Sequence, residues 1–273
     1  MALSGHLELI CALDSRGISV LRHQSFRAPM HLSKPHFDAN ALVVNVVNPT
    51  AGLLEGDRIA CRVEVETGAR LLLTTPSASR AHRMNNGRAE LVQQMRMAAG
   101  GFLEFWPELF IPQRGTRYSQ RTELTVEGDG ELLFFESLAP GRVASGESFA
   151  YTELEWATDV RCDTVLVARE RYRLTPEGGA VRMLRSAFSN AYYASGFVIS
   201  DRLERHEVWE RIHALHSSDA WIGCSRLANR GWAIKLVAAG SVALRRMLQA
   251  VRSELYRAMN RPAPSLRRAG SAW

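Results

Sequence analysis

Lysine is nearly absent from this chain of 273 residues, which carries 34 lysine and arginine residues in total. Only Lys34 and Lys235 are lysines, so almost every basic side chain is an arginine, able to hold a carboxylate or phosphate through two hydrogen bonds. The arginines are spread among acidic residues, without a basic block or an aromatic RNA-binding motif. Although the net charge is +6, we therefore do not expect a nucleic-acid-binding protein.

Cysteine is also scarce, and no two cysteines stand close together in the sequence. The four residues Cys11, Cys61, Cys162 and Cys224 include no C-x-x-C pair, the usual signature of a zinc or iron–sulfur site. We expect them to be small apolar residues of a protein in a reducing compartment.

Long apolar runs are missing as well. No stretch approaches the length of a membrane span, and the N-terminal segment "MALSGHLELI" has no basic region followed by an apolar one. The sequence therefore predicts a cytoplasmic protein that does not enter a membrane.

No phosphate-binding loop is present, although the segment "NPTAGLLEGDRI" over 48–59 is rich in turn-forming residues. Its spacing matches neither common glycine-rich phosphate motif. Gly52 and Gly56 can adopt the positive φ of a tight reversal, and Pro49 cannot donate a hydrogen bond to a sheet. We predict a turn, in which Asp57 accepts hydrogen bonds from nearby backbone amides.

Hydrophobic residues recur with a period of two from the start of the chain to about residue 190. "LELICAL" and "ISVLRHQSF" flank "DSRG" as in a β-hairpin, and "AELVQQMRM" alternates like a half-buried strand. Three segments place a glycine before an apolar strand, with Leu71, Leu103 and Leu132 in equivalent positions. This spacing of about 30 residues favours a mainly β protein with stacked, β-helix-like coils or two strand layers.

The period changes to that of a helix after residue 200. Two helices are predicted, over 200–215 with Ser200 as its N-cap and over 241–259 with Ser241 as its N-cap. A hairpin around "ANRG" lies between them. No linker separates this mixed portion, about 200–260, from the β body, about 1–190, so we expect one domain over 1–273. The apolar stripes of the two helices are Val208, Trp209, Ile212 and Leu215 in the first, and Val242, Met247, Leu248, Val251 and Leu255 in the second.

Two sets of residues suggest enzymatic chemistry. His206, Glu210 and His213 share one helical face and could bind the metal of a hydrolase, but they lie opposite the apolar stripe, which favours a solvated polar face. Ser145 in "VASGES" lacks the flanking glycines of a G-x-S-x-G nucleophile elbow. Neither set predicts an enzyme.

Carboxylates within strand-rich segments are more suggestive. Glu136 follows the apolar run "LLFF", where burial would demand a partner or a cation, and Glu170 lies in "VARERYRL". Together with Asp57 they could provide oxygen ligands for a divalent cation, although the sequence does not show that they converge.

Four motifs in fixed order resemble the urease accessory protein family called UreD, or UreH in some bacteria. The family has a proline- and glycine-rich turn ending in Gly-Asp, a TTP-x-A segment, an aromatic-proline segment followed by glycine, and GR-x-x-x-GE-x-F. The resemblance is closest over 42–150. The corresponding segments here are "NPTAGLLEGDRI", "ETGARLLLTTPSASRAHRM", "LEFWPELFIPQRGTRY" and "ELLFFESLAPGRVASGESF".

This resemblance implies a scaffold of nickel delivery rather than an enzyme. Family members bind the accessory protein UreF, through it the GTPase UreG, and the urease apoprotein, and the complex can contain two copies of the chain. The family fold is a mainly β stack with a pair of helices, and no cofactor is bound permanently. Nickel is thought to pass through an internal polar channel; the matching positions are Asp57, Glu136 and Glu170, with Ser79 as a further polar lining. The alternative is a β-rich protein-binding module without a metal role, which would have exposed apolar patches but no polar channel.

Overall fold

A computed structural model describes residues 2–205 and 207–266, and most of its regular structure is β-strand. In chain order the strands are β1 (Ser4–Leu13), β2 (Ser19–Arg27), β3 (His31–Leu32), β4 (His36–Asp38), β5 (Ala41–Val47), β6 (Arg58–Val65), β7 (Arg70–Thr74), β8 (Ser79–Ala81), β9 (Ala89–Met97), β10 (Phe102–Trp106), β11 (Phe110–Pro112), β12 (Arg117–Val126), β13 (Glu131–Leu138), β14 (Glu153–Cys162), β15 (Val165–Leu174), β16 (Tyr192–Ile199), β17 (Ala220–Arg226) and β18 (Trp232–Ala238). The α-helices are α1 (Gly179–Ala187), α2 (Val208–His213) and α3 (Ser241–Ala258), and short 3₁₀ helices occur at Val143–Ser145 and Asp201–Leu203.

The strands form two sheets that are built up coil by coil. One sheet has seven strands in the order β15-β14-β12-β9-β6-β1-β2; the other has eleven, with β17-β18-β16-β13-β10-β7-β5-β3 as its main path. Along the chain β6, β9 and β12 alternate with β7, β10 and β13, so each coil adds one strand to each sheet, parallel to the strand of the previous coil. The predicted stacked, mainly β architecture is confirmed.

The repeated glycine turns explain the register of these coils. Leu71 and Leu132 both pair with Leu103 across β7, β10 and β13, and all three side chains are fully buried. Each glycine-containing turn returns the chain to the second sheet at the same level, so equivalent leucines stack. The echo in the sequence therefore reflects the coil repeat.

Both predicted hairpins are present: β1 pairs with β2 and β17 with β18, each antiparallel. The turn over 48–59 is also confirmed, with φ of 137° at Gly52 and 84° at Gly56. A Cβ atom on Gly52 would lie 2.6 Å from the carbonyl oxygen of Arg80, so a side chain there would clash with the backbone of β8.

The helices differ from the prediction in number and in their ends. Helix α1 was not predicted, because its only buried residue is Val181 and "PEGG" before it reads as a turn. Helix α2 is shorter than predicted, beginning at Val208 after a 3₁₀ turn. No described helix is long and apolar enough to span a membrane.

Neither predicted serine cap forms. The Ser200 hydroxyl donates a hydrogen bond to buried Glu131 at 2.5 Å instead of capping a helix. Ser241 is the first residue of α3, whose N-cap is Gly240. Ser241 lies one residue beyond the N-cap position. The Ser200 side chain is directed to Glu131 and not to the free backbone amides.

Helices α2 and α3 pack on the outer face of the eleven-stranded sheet, as their apolar stripes predict. Val208 and Ile212 of α2 and Val251 and Leu255 of α3 are fully buried in one cluster with β16 and β18. The inclusion of Val242 in the stripe was wrong, since its side chain is 78% exposed at the first turn of α3.

Candidate functional site

A row of polar residues crosses the space between the two sheets. In the seven-stranded sheet, Gln93, Thr122, Thr158 and Glu170 are successive partners on β9, β12, β14 and β15. In the eleven-stranded sheet, Glu136, Ser195 and Lys235 are successive partners on β13, β16 and β18. Hydrogen bonds from Gln93 to Glu136 and from Ser195 to Glu170 join the two sets, which we call the polar row.

Apolar clusters lie on both sides of the polar row. Residues two apart along a strand point to the same face, so Glu136 stands between Phe134 and Leu138. Phe134 belongs to one intersheet cluster and Leu138 to another. On β14, Thr158 likewise stands between Val160 of the first cluster and Trp156 of the second. The polar row therefore divides an interior that is otherwise apolar along these strands.

Glu136 is held in the polar row by neutral donors. The amide nitrogen of Gln93 donates to its carboxylate at 3.3 Å, and that of Gln120 donates to the same oxygen. The pKa of Glu136 is raised to about 7, chiefly by burial and also by the charge of Glu170, while the two amide hydrogen bonds oppose the change. The protonated and ionised forms of this carboxyl group are therefore similarly populated near neutral pH.

A cavity of about 400 Å³ leads to Glu136 from the turn over 48–59. Thr50 and Gly52 of that turn and Ser79 of β8 line it, and so do Glu136 of the polar row and its donor Gln120. The turn that bears no phosphate chemistry therefore forms a wall of the cavity. The structure brings Ser79 and Glu136, two of the residues predicted from the sequence, to one cavity.

Glu170 occupies the opposite end of the polar row, near the edge formed by β15. Ser195 donates to it at 2.8 Å and Tyr193 at 3.3 Å, and the ammonium group of Lys235 donates to it as well. Its side chain is largely buried. Glu136 and Glu170 are close enough for the charge of Glu170 to raise the pKa of Glu136.

Asp57 has a different role from the other two carboxylates. It is buried, and its two oxygens accept hydrogen bonds from the backbone amides of Leu3 and Leu54, both at 2.8 Å. The predicted amide contacts are confirmed. Asp57 lines neither the cavity nor the polar row; it fixes the turn and the chain before β1.

The sequence interpretation missed most of the polar row. Gln93 carried a usable signal, because adjacent glutamines in "AELVQQMRM" must point to opposite faces of a strand and one of them is therefore buried. Lys235 carried another, as one of two lysines and the only charged residue in "WAIKLVA". Ser195 and Thr158 carried none, because hydroxyl residues are common on both faces of strands.

The alternative metal site in the predicted helix over 200–215 gains no support. Glu210 and His213 are exposed, and His206 lies outside the described residues. Within residues 2–205 and 207–266, no group of three or more histidine, cysteine, aspartate or glutamate side chains is arranged to hold a metal ion. Burial raises the pKa of Cys11 and Cys61 to about 12, so these thiols are inert core residues as predicted.

Comparison with known proteins extends the resemblance found in the motifs to nearly the whole chain. A family model described as UreD urease accessory protein matches residues 4–269. A urease accessory protein UreD of Opitutus terrae is 42% identical over 265 residues, covering 96% of this chain and 97% of the relative. Proteins of the same name from Acetivibrio thermocellus and an Arthrobacter species are 29% identical, covering 90% of this chain and 95% of the relative, and 32% identical, covering 84% and 81%.

Proposed function

This chain belongs to the UreD family of urease accessory proteins, and from that premise we propose that it is a non-enzymatic scaffold for the insertion of nickel into urease. In this role it would bind the urease apoprotein and UreF, and reach UreG through UreF. Nickel is the cargo of the complex and not a resident cofactor of this chain.

The polar row supports a path for the cargo. Buried polar and charged groups are costly unless they are satisfied, so a row of seven across an apolar interior calls for a function. It runs from the cavity at Glu136 to the sheet edge at Glu170. A plain protein-binding module would need no such row.

The donor atoms of the polar row suit nickel in transit. Two carboxylates, the hydroxyl groups of serine and threonine, and amide oxygens are harder and weaker ligands than thiolates or imidazoles. A cation held by such groups can be released to the next site. Asp57 contributes differently, by shaping the turn that walls the cavity.

The observation that carries this proposal is the environment of Glu136. Its carboxylate lies at the end of a cavity, contacts neutral amides rather than an arginine, and has a pKa raised to about 7. A buried carboxylate without its own strong cation gains from a divalent cation, because the charge attraction offsets the desolvation.

A complementation experiment tests the proposal. The chromosomal copy is deleted, and urease activity is restored with tagged wild type, Glu136→Gln or Glu170→Gln, each also tested for co-purification with UreF and urease apoprotein. Glu123→Gln on β12 is the matched control, since this carboxylate is partly exposed and lies outside the polar row.

We expect deletion to abolish activation and the wild type to restore it. The two variants of the polar row should retain the complex but lower nickel-dependent activation at least several-fold, whereas Glu123→Gln should match the wild type. Full activation by Glu136→Gln would contradict the path, and unimpaired activation after deletion would contradict the accessory role.

A further inference from the structure

Lys235 is the cationic member of the polar row. It lies on β18, with inward-facing neighbours Ala233 and Val237 that pack against the two intersheet clusters. Its side chain is 38% exposed, so it reaches into the interior while remaining accessible from the sheet edge. It is one of two lysines in a chain whose other basic residues are arginines.

The choice of lysine matters for how firmly the carboxylate is held. Arginine would bind Glu170 through two parallel hydrogen bonds and remain charged, whereas lysine is a point charge on a flexible stem. Elsewhere in this protein a buried carboxylate is clamped by arginine, as Glu104 is by Arg252. At Glu170 the partner is the kind of cation that can move away.

The Lys235 ammonium group occupies the position that a bound cation would take. It donates to Glu170 and, at 2.6 Å, to the Ser195 hydroxyl, which itself donates to Glu170 at 2.8 Å. The ring of Phe197 lies 5.1 Å from the nitrogen. Both oxygens of Glu170 are therefore satisfied while Lys235 is in place.

The balance of charges would allow a divalent cation to replace the Lys235 ammonium group. One ammonium group faces two carboxylates, Glu136 and Glu170, and burial lowers the pKa of Lys235 while the two carboxylates oppose that change. A divalent cation between the carboxylates would match their charge, and the displaced ammonium group could extend to solvent along the exposed part of its stem.

We propose that Lys235 is a tethered, displaceable counter-ion that occupies the cation position at Glu170 until a divalent metal ion takes its place. The inference rests on the proposed nickel path and adds its control element. With Lys235 in place the edge end of the polar row is closed to cations, and its displacement opens that end for one ion.

Nickel binding to the purified full-length chain tests this directly, with Ni²⁺ alone as the probe in equilibrium dialysis at constant pH. The variants are Lys235→Met, which keeps the stem and removes the charge, and Lys235→Arg, which keeps the charge and strengthens the pair. Lys34→Met is the matched control, because Lys34 is the only other lysine and is exposed. Thermal unfolding by circular dichroism confirms that each variant is folded.

We expect Lys235→Met to bind Ni²⁺ about tenfold more tightly, since a competing charge within contact distance shifts cation affinity of a carboxylate by at least about this factor. The double variant Lys235→Met with Glu170→Gln should lose this gain. Lys235→Arg should bind more weakly than the wild type, and Lys34→Met should not differ. The arginine variant retains the ion pair, so it tests the proposal even if the methionine variant does not fold.

Equal or weaker binding by folded Lys235→Met, or equal binding by Lys235→Arg, would overturn the inference. Failure of the proposed function is a separate result, because it is measured as urease activation by Glu136→Gln. Tighter binding by Lys235→Met together with full activation by Glu136→Gln would leave Lys235 as a counter-ion and remove nickel delivery along the row.

Discussion

Two carboxylates on opposite faces of the eleven-stranded sheet, Glu104 and Glu136, have contrasting partners. On the outer face, Glu104 is fully buried beneath α3, where Arg252 donates to both oxygens at 2.5 and 2.8 Å and Tyr256 donates at 2.6 Å. On the inner face, Glu136 accepts hydrogen bonds from neutral groups, chiefly the amides of Gln93 and Gln120.

We interpret the Glu104 pair as structural and the environment of Glu136 as functional. Glu104 has a permanent cation and no free capacity, so its charge serves to attach α3 to the sheet. Glu136 is held by neutral hydrogen-bond donors, while Lys235 is bonded to Glu170 instead, and burial raises the pKa of Glu136 to about 7. A fold that can place an arginine against one buried carboxylate and leaves the other to neutral donors keeps the second open to a proton or a metal ion.

The largest effect should come from breaking the outer pair. Arg252→Met leaves Glu104 buried without its cation, and we expect the free energy of unfolding to fall by about 3–5 kcal/mol. Urea denaturation measures this. Arg245→Met on the exposed face of α3 removes a surface pair with Glu108 and should change stability by less than about 1 kcal/mol. Equal effects of the two variants would mean that Glu104 is not locked as described.

Glu136→Gln should have the opposite sign. The pKa of this acid rises from about 4.5 to about 7 on folding, so the folded state holds the proton more tightly and the free energy of unfolding falls as pH increases through that window. Glutamine does not titrate, so the variant does not show this decrease in the free energy of unfolding. We expect it to match the wild type near pH 4.5 and to be more stable by about 3 kcal/mol at pH 8, at 1.36 kcal/mol for each pH unit.

The comparison to make is the difference between variant and wild type across this pH range, since other groups titrate equally in both. A difference that does not change with pH would contradict a buried, weakly neutralised Glu136.

The smallest effect should come from Thr122, which joins the two glutamines that donate to Glu136. Its hydroxyl accepts hydrogen bonds from Gln93 at 3.1 Å and Gln120 at 3.2 Å. Thr122→Val keeps the shape but leaves these donors unsatisfied, and we expect a loss of about 1–2 kcal/mol in urea denaturation. Thr125→Val, at a partly exposed position of the same strand, should stay within about 0.5 kcal/mol. A loss no larger than that of the control would show that the row is not a connected network.

The stacked coils could be predicted from the sequence because their signals are local and repeated. Glycine turns and leucines spaced by about 30 residues predicted stacked strand units, and the equivalent residues Leu71, Leu103 and Leu132 prove to be paired. The stripes of α2 and α3 predicted which faces pack on the sheet. The serine caps failed, because Ser200 found a stronger partner in buried Glu131.

The polar row could be predicted only in part, because it depends on register between distant strands. Glu136 and Glu170 were recognised as acids within strands, and Ser79 as a polar lining. Their placement depends on pairings such as Glu136 with Ser195 and Thr158 with Glu170, which join residues separated along the chain. A single sequence gives the period of each strand but not the level at which two strands meet.

The most direct test of the account is to locate nickel in the protein. Crystals of the wild-type chain, soaked with Ni²⁺ and measured on both sides of the nickel absorption edge, give an anomalous difference map of bound metal. The account predicts a peak between the two sheets in contact with the carboxylate of Glu136 at the end of the cavity. Peaks confined to surface histidines, with none beside Glu136 at saturating nickel, would contradict it.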